Sequence, residues 1–340
     1  MERSNAPRLQ IGVQSDYQRQ DALELMDHFE DFSEPWIGSH VAQRVTQENG
    51  VLMGLQASYL LHAILAYSAS HLSHLYPEQK KYSDAAKLHY TRSLQAYSTQ
   101  LVYELEKGSA NANALLSASG LLAKLSFINT PLMSEDSDGV SAAVPPWIKS
   151  MQGVKTIMQT PKLRKQLEDG DLSAIVRHYI GPASKQPITV GLGRSQRSTS
   201  TVGALMELCG LQDRNCSPNV YSSAMDRLEP IMLSEPTHDD TEQYLGFIAT
   251  LEPSFLELLE KRDTRALLIL AYWCTRVSLI KHWWTAPSAK AECRRICAHL
   301  SREKDARVQA LLKGPADFCG FNLQQQSQLP SPPADSDSRD

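Results

Sequence analysis

None of the six cysteines in this 340-residue sequence stands before Cys209. No two have the C-x-x-C spacing of a zinc module, so no compact zinc-binding unit is expected. Cys293 and Cys297 lie four apart on an expected helix and are read as small buried residues. Basic blocks are lacking too. Lys and Arg number 34 against 38 Asp and Glu, a formal net charge of -4, which offers no electrostatic argument for nucleic acid. There is no run of about eighteen apolar residues, so no membrane span is expected. The opening MERSNAPRLQ has no apolar core of a secretory leader. A soluble intracellular protein with reduced thiols is the expected class. Period-two strand patterns, fixed-period repeats, G-x-S-x-G, H-E-x-x-H and phosphate-loop motifs are all missing, which leaves no catalytic residues, metal ligands or cofactor to nominate.

What is present is helix. Residues 59–75, YLLHAILAYSASHLSHL, are apolar on nearly every side, as a helix covered all round by other helices must be. Before it, Leu25, Phe29 and Phe32 recur at helical spacing, predicting a helix over 21–32, and a weaker one follows over 40–55, interrupted by Gly50 and Gly54. After it, Tyr82, Ala86, Tyr90, Leu94 (or Ser93), Tyr97, Leu101 and Leu105 make one apolar stripe over 78–107. Further helices are expected over 111–129, 147–159, 161–169, 171–180, 202–211, 217–233, 239–261, 264–284, 288–300 and 303–313. The run 264–284, TRALLILAYWCTRVSLIKHWW, is the second strongly apolar helix. Residues 1–18 are expected as a flexible arm, 130–146 as a loop, 181–201 as a mobile loop, and 323–340 as a disordered tail. An all-α domain over 19–322 is the predicted architecture.

Four patterns could carry chemistry, and each has a plainer reading. His62, His71, His74 and His89 lack a carboxylate or cysteine at ligand spacing, and are expected to pack in or beside the core. GLGRSQRS at 191–198 has no strand before it, so it is a loop rather than a phosphate cradle. HDDTE at 238–242 lacks the spacing and the second motif of a magnesium-binding terpene cyclase, and suits a helix N-terminus. Asp27 and Asp31 in DHFED, one turn apart, suit a solvated face.

Several segments in order resemble one family. ALELMDHFEDFS at 22–33, YLLHAILAYSASHLSHLYPEQKKYSDAAKLHYTRSLQAY at 59–97, WIKSMQGVKTIM at 147–158, FLELLEKRDTRALLILAYWCTRVSLIKHWW at 255–284 and LLKGPADFCG at 311–320 are similar to the regulatory domain of fungal zinc-cluster transcription factors, of the sterol uptake control type. The likeness runs over roughly 20–320. It departs in two respects: no six-cysteine zinc cluster precedes the domain, and Thr264 and Gly314 stand where the family has Pro and Trp. The resemblance implies a multi-helix effector domain that regulates transcription from the nucleus, shuttling with the cytoplasm. It implies an apolar, sterol- or terpenoid-like ligand, and a second copy or a zinc-cluster factor as partner. Direct DNA contact by this chain, and a membrane partner, are not expected. The pocket it implies lies between the helices at 59–75, 112–127 and 266–284, lined by Leu61, Leu65, Leu122, Phe127, Leu270 and Trp273. The rival reading is an enzyme of secondary metabolism, a cyclase or isomerase, templating its reaction in such a pocket.

Overall fold

The computed structural model describes residues 16–31, 40–107, 111–129, 145–174, 176, 201–212 and 219–323. Among these residues there are fourteen α-helices, one 3-10 turn and no strand, so the all-α expectation is met. The expected helix over 171–180, except for 171–174 and 176, lies outside the described residues. So do most of the 130–146 loop and most of the 181–201 loop, the arm before residue 16, and the tail from 324.

The first half is built round α3. Helices α1 (Asp16–Asp31), α2 (His40–Gln56), α4 (Lys80–Lys107) and α5 (Ala112–Ile128) all pack against α3 (Ser58–Leu75). Twelve α3 side chains from Tyr59 to Leu72 are buried, which is why the helix has no polar face in the sequence. α1 starts at Asp16, inside the expected arm. The glycines that argued against α2 are there for packing. A Cβ on Gly50 would lie 3.3 Å from the Phe29 ring, and one on Gly54 would lie 3.3 Å from the Leu61 Cα. The helix-propensity cost of about 1 kcal/mol each is offset by the close approach of α2 to α1 and α3.

The second half is built round α12 (Thr264–Val277), which packs on α9 (Ser222–Leu233), α10 (Thr241–Ala249), α11 (Pro253–Glu260), α13 (Thr285–Leu300) and α14 (Ala306–Cys319), with α8 (Thr201–Leu208) beside α14. The halves meet through α6 (Pro146–Gln159), which contacts both α5 and α10; α7 (Pro161–Asp169) packs on α5 and α6, and α13 reaches α5. Local chemistry fixes the starts. Asp263 Oδ1 accepts from the N–H groups of Arg265 and Ala266 at 3.1 and 3.0 Å, and Asn111 Oδ1 accepts from Ala114 N at 3.1 Å. Pro146, Pro161 and Pro253 sit in first turns, where their missing N–H costs nothing.

Three further elements depart from the sequence-based expectation for reasons visible in the packing. The stretch 239–261 is a 3-10 turn (His238–Asp240) followed by two helices, because Pro253 forces Glu252 to an extended ψ of 151°. The 264–284 helix stops at Val277. Residues 278–284 form a tight turn in which the Thr285 hydroxyl donates to the Ile280 and His282 carbonyls at 2.5 and 3.0 Å. The last helix runs on to Cys319 through an internal Pro315. That proline has no N–H for the Leu311 carbonyl four residues back, and Tyr272 Oη on α12 donates to it instead at 2.6 Å.

Candidate functional site

Where the halves meet, large aromatic rings from separate elements converge. Phe127 of α5 lies 4.7 Å from Trp147 of α6, 6.0 Å from Trp273 of α12 and 6.1 Å from Trp284, centroid to centroid. Trp147 and Trp273 stack at 5.4 Å, and Phe247 of α10 stacks on Trp273 at 6.2 Å. Pairs in such geometries contribute about 0.5–1.5 kcal/mol each beyond the area they bury. Trp273 Nε1 donates to the Tyr244 carbonyl at 2.7 Å. Trp147 is different: its Nε1 is buried with no acceptor among the described residues. A buried donor left unmet costs about 1–3 kcal/mol, so the indole N–H is a place where an oxygen would be welcome.

Polar groups border this junction. Lys124, one turn before Phe127 on α5, is half-buried, and desolvation holds its pKa below the usual lysine range, with Glu242 opposing. Glu242 is buried at the start of α10. Beside it, Thr241 Oγ1 and His282 Nε2 are 2.8 Å apart, and the His282 ring stacks on Trp284. In chemical terms the junction is an aromatic box with a cation, a carboxylate and one unmet donor.

Of the six residues proposed from sequence, Phe127, Leu270 and Trp273 lie in the main core, and Phe127 and Trp273 are part of this box. Leu61 and Leu65 do not join them. They face a smaller cluster formed with Ala22 and Leu25 of α1 and Tyr82 of α4. Leu122 is buried on α5. Trp147 enters the sequence reading only as part of a helix face, and Glu242 only as the last residue of the acidic run at 238–242; Phe247 and Lys124 are not singled out, and a lysine in a mostly apolar helix (ANALLSASGLLAKLSFI) is the signal available for Lys124.

The other sequence patterns also find places. The histidines on α3 and its neighbours form two pairs. His28 Nε2 is 3.0 Å from His71 Nδ1, and His62 Nδ1 is 3.0 Å from His89 Nδ1. His71 and His74 both pack on the Trp283 ring, at 5.2 and 5.4 Å. Burial, reinforced by His28 and His74, holds the His71 imidazole down to about 3, and burial with His62 and Arg92 holds His89 down to about 4. The acidic run at 238–242 works structurally: Asp239 Oδ1 accepts from His40 N at 3.0 Å and from its Nδ1 at 2.9 Å. Asp240 Oδ2 accepts from the N–H and hydroxyl of Thr237, both at 2.8 Å. Asp27 and Asp31 are exposed. The 191–198 stretch lies outside the described residues. Cys293 and Cys297 are buried as expected, but Cys319 of α14 joins them: the three Sγ atoms lie within 4.8 Å of one another.

Residues 15–181 match the model of the fungal specific transcription factor domain. This segment, just under half of the chain, is similar to that family. The family match covers α1 to α7, with α3 at its centre and Trp147 near its end. A Zn(2)-C6 fungal-type transcription factor from Gibberella zeae (strain PH-1) is 25% identical over 289 residues, covering 79% of this chain and 56% of the relative. The chain therefore spans a little over half of that relative's length. No solved structure matches the chain. The relative's name makes that protein a transcription factor. No described helix is long and apolar enough to cross a membrane.

Proposed function

We propose that this chain regulates transcription as a helical effector module whose contact with DNA is supplied by a Zn(2)-C6-type partner. The observation that carries the reading is the family match over 15–181, whose helices share one buried core with the helices that follow. Fusing the chain to a heterologous DNA-binding domain tests it, with the binding site placed upstream of a reporter in a fungal strain. The fusion is expected to raise or lower reporter output several-fold relative to the DNA-binding domain alone. A full-length, nuclear fusion with unchanged output would overturn it.

The finer part of the proposal is a ligand: an apolar small molecule of the sterol or terpenoid class with at least one oxygen, seated at the aromatic junction. Two features support it, the unmet Trp147 N–H and Lys124 one turn from Phe127, whose ring meets Trp147, Trp273 and Trp284. The rings touch at 4.7–6.2 Å, so a ligand would enter by separating them. Native mass spectrometry of protein incubated with a fungal lipid extract reads this directly. Retention of a discrete mass that is lost in a Trp147→Phe variant is expected; retention unaffected by that variant, or none by folded protein, refutes the site.

A further inference from the structure

We infer that Cys293, Cys297 and Cys319 form a binding site for one thiophilic divalent cation of the zinc class. Cys293 and Cys297 stand four residues apart on α13, so both face α14, and Cys319 closes the triangle from the last turn of α14. All three Sγ atoms lie within 4.8 Å of one another, and the Cys297–Cys319 pair is at 3.9 Å. With Zn–S bonds of about 2.3 Å, two thiolates on one zinc are separated by about 3.8–4.0 Å in tetrahedral or trigonal geometry, so the pair already has the required spacing. A disulfide would need its sulfurs at about 2 Å. The Pro315 carbonyl, which accepts from Cys293 Sγ at 3.4 Å, lies beside the sulfurs and offers an oxygen toward a fourth position.

The surroundings suit the charge. Binding breaks three S–H bonds, forms three metal–sulfur bonds and delivers three protons to solvent, leaving one net negative charge on the site. Arg294 stands next to it, with Nη1 donating to the Cys319 carbonyl at 3.5 Å. Arg295 is held away in an ion pair with Glu292 at 2.5 Å. There is also a way in. Cys293 and Cys297 are fully buried, but Cys319 retains 7% exposure at the end of α14, where Gly320 turns the chain with φ of +68°. A metal here would clamp α13 to α14 and hold the end of the helical domain.

Cadmium alone is the probe, added to the reduced, purified full chain without oxygen. The expected result is one ion retained per chain after desalting, with a thiolate-to-cadmium absorption band and three sulfur neighbours by X-ray absorption. Cys297→Ala and Cys319→Ala are expected to weaken retention by more than the roughly 10–100-fold that loss of a supporting partner costs. Cys209→Ala, at a buried thiol in the turn after α8, should leave it unchanged. No retained cadmium in folded protein, or fewer than two sulfur neighbours, overturns the assignment, as does equal loss in Cys209→Ala. The sulfur count is made on the unmodified chain, so it stands even if a variant fails to fold.

Discussion

Lowering the pH from 7.5 to 5 should destabilise this protein through two histidines. His71 and His89 are buried, with 3% and 9% exposure, and each has its partner imidazole 3.0 Å away. Between neutral rings one nitrogen donates and the other accepts; charging both rings puts two cations at that distance. Their folded pKa values fall to about 3 and about 4, against an ordinary value of 6.5. A base depressed on folding takes up its proton more readily when unfolded. Its stabilising contribution is therefore complete above pH 6.5, shrinks as pH falls below that, and is gone at the folded pKa. At 1.36 kcal/mol per pH unit, pH 5 removes about 2 kcal/mol for each residue, or about 4 kcal/mol together. Urea unfolding followed by tryptophan fluorescence at the two pH values measures it. His71→Gln and His89→Gln should each remove about half of the difference. A wild-type difference below about 1 kcal/mol, or an undiminished one in the double variant, would refute the reasoning.

Tyr272→Phe leaves the Leu311 carbonyl without its donor and should cost about 1–3 kcal/mol. Adding Pro315→Ala supplies an N–H to that carbonyl, so a double-mutant cycle by urea unfolding should show a favourable coupling near 1 kcal/mol. Asp263→Ala removes the cap of α12 and also the acceptor that the Tyr221 hydroxyl reaches at 3.0 Å; a loss of about 1–2 kcal/mol is expected in the same assay. Trp273→Ala empties the middle of the aromatic stack and should cost about 3–5 kcal/mol, visible as a lower thermal midpoint.

Helix placement was legible wherever a stripe or a cap was local. The expected 161–169 helix coincides with α7, and α3, α5 and α6 were placed within a residue or two. The misjudged ends, at residues 252 and 278, depended on a proline-forced bend and on a threonine hydroxyl reaching back over a turn. The proposed site was less legible. Because α3 is apolar all round, its sequence holds no period that says which side meets which neighbour. Leu61 and Leu65 were assigned toward α5 and α12, and packing turned them to α1 and α4.

By itself the sequence determined the helical class, the two central helices and the family resemblance, because these rest on residues a turn or a segment apart. Only the tertiary structure decided which distant side chains meet. It stacked Trp147 on Trp273, set Trp283 against His71 and His74, and placed Cys319 beside Cys293 and Cys297. The physical reason lies in range. Hydrogen bonding and side-chain periodicity within a helix act over three or four residues and are written in order along the chain. The meeting of helices is settled by close packing of whole surfaces, in which residues separated by over a hundred positions fix one another's places.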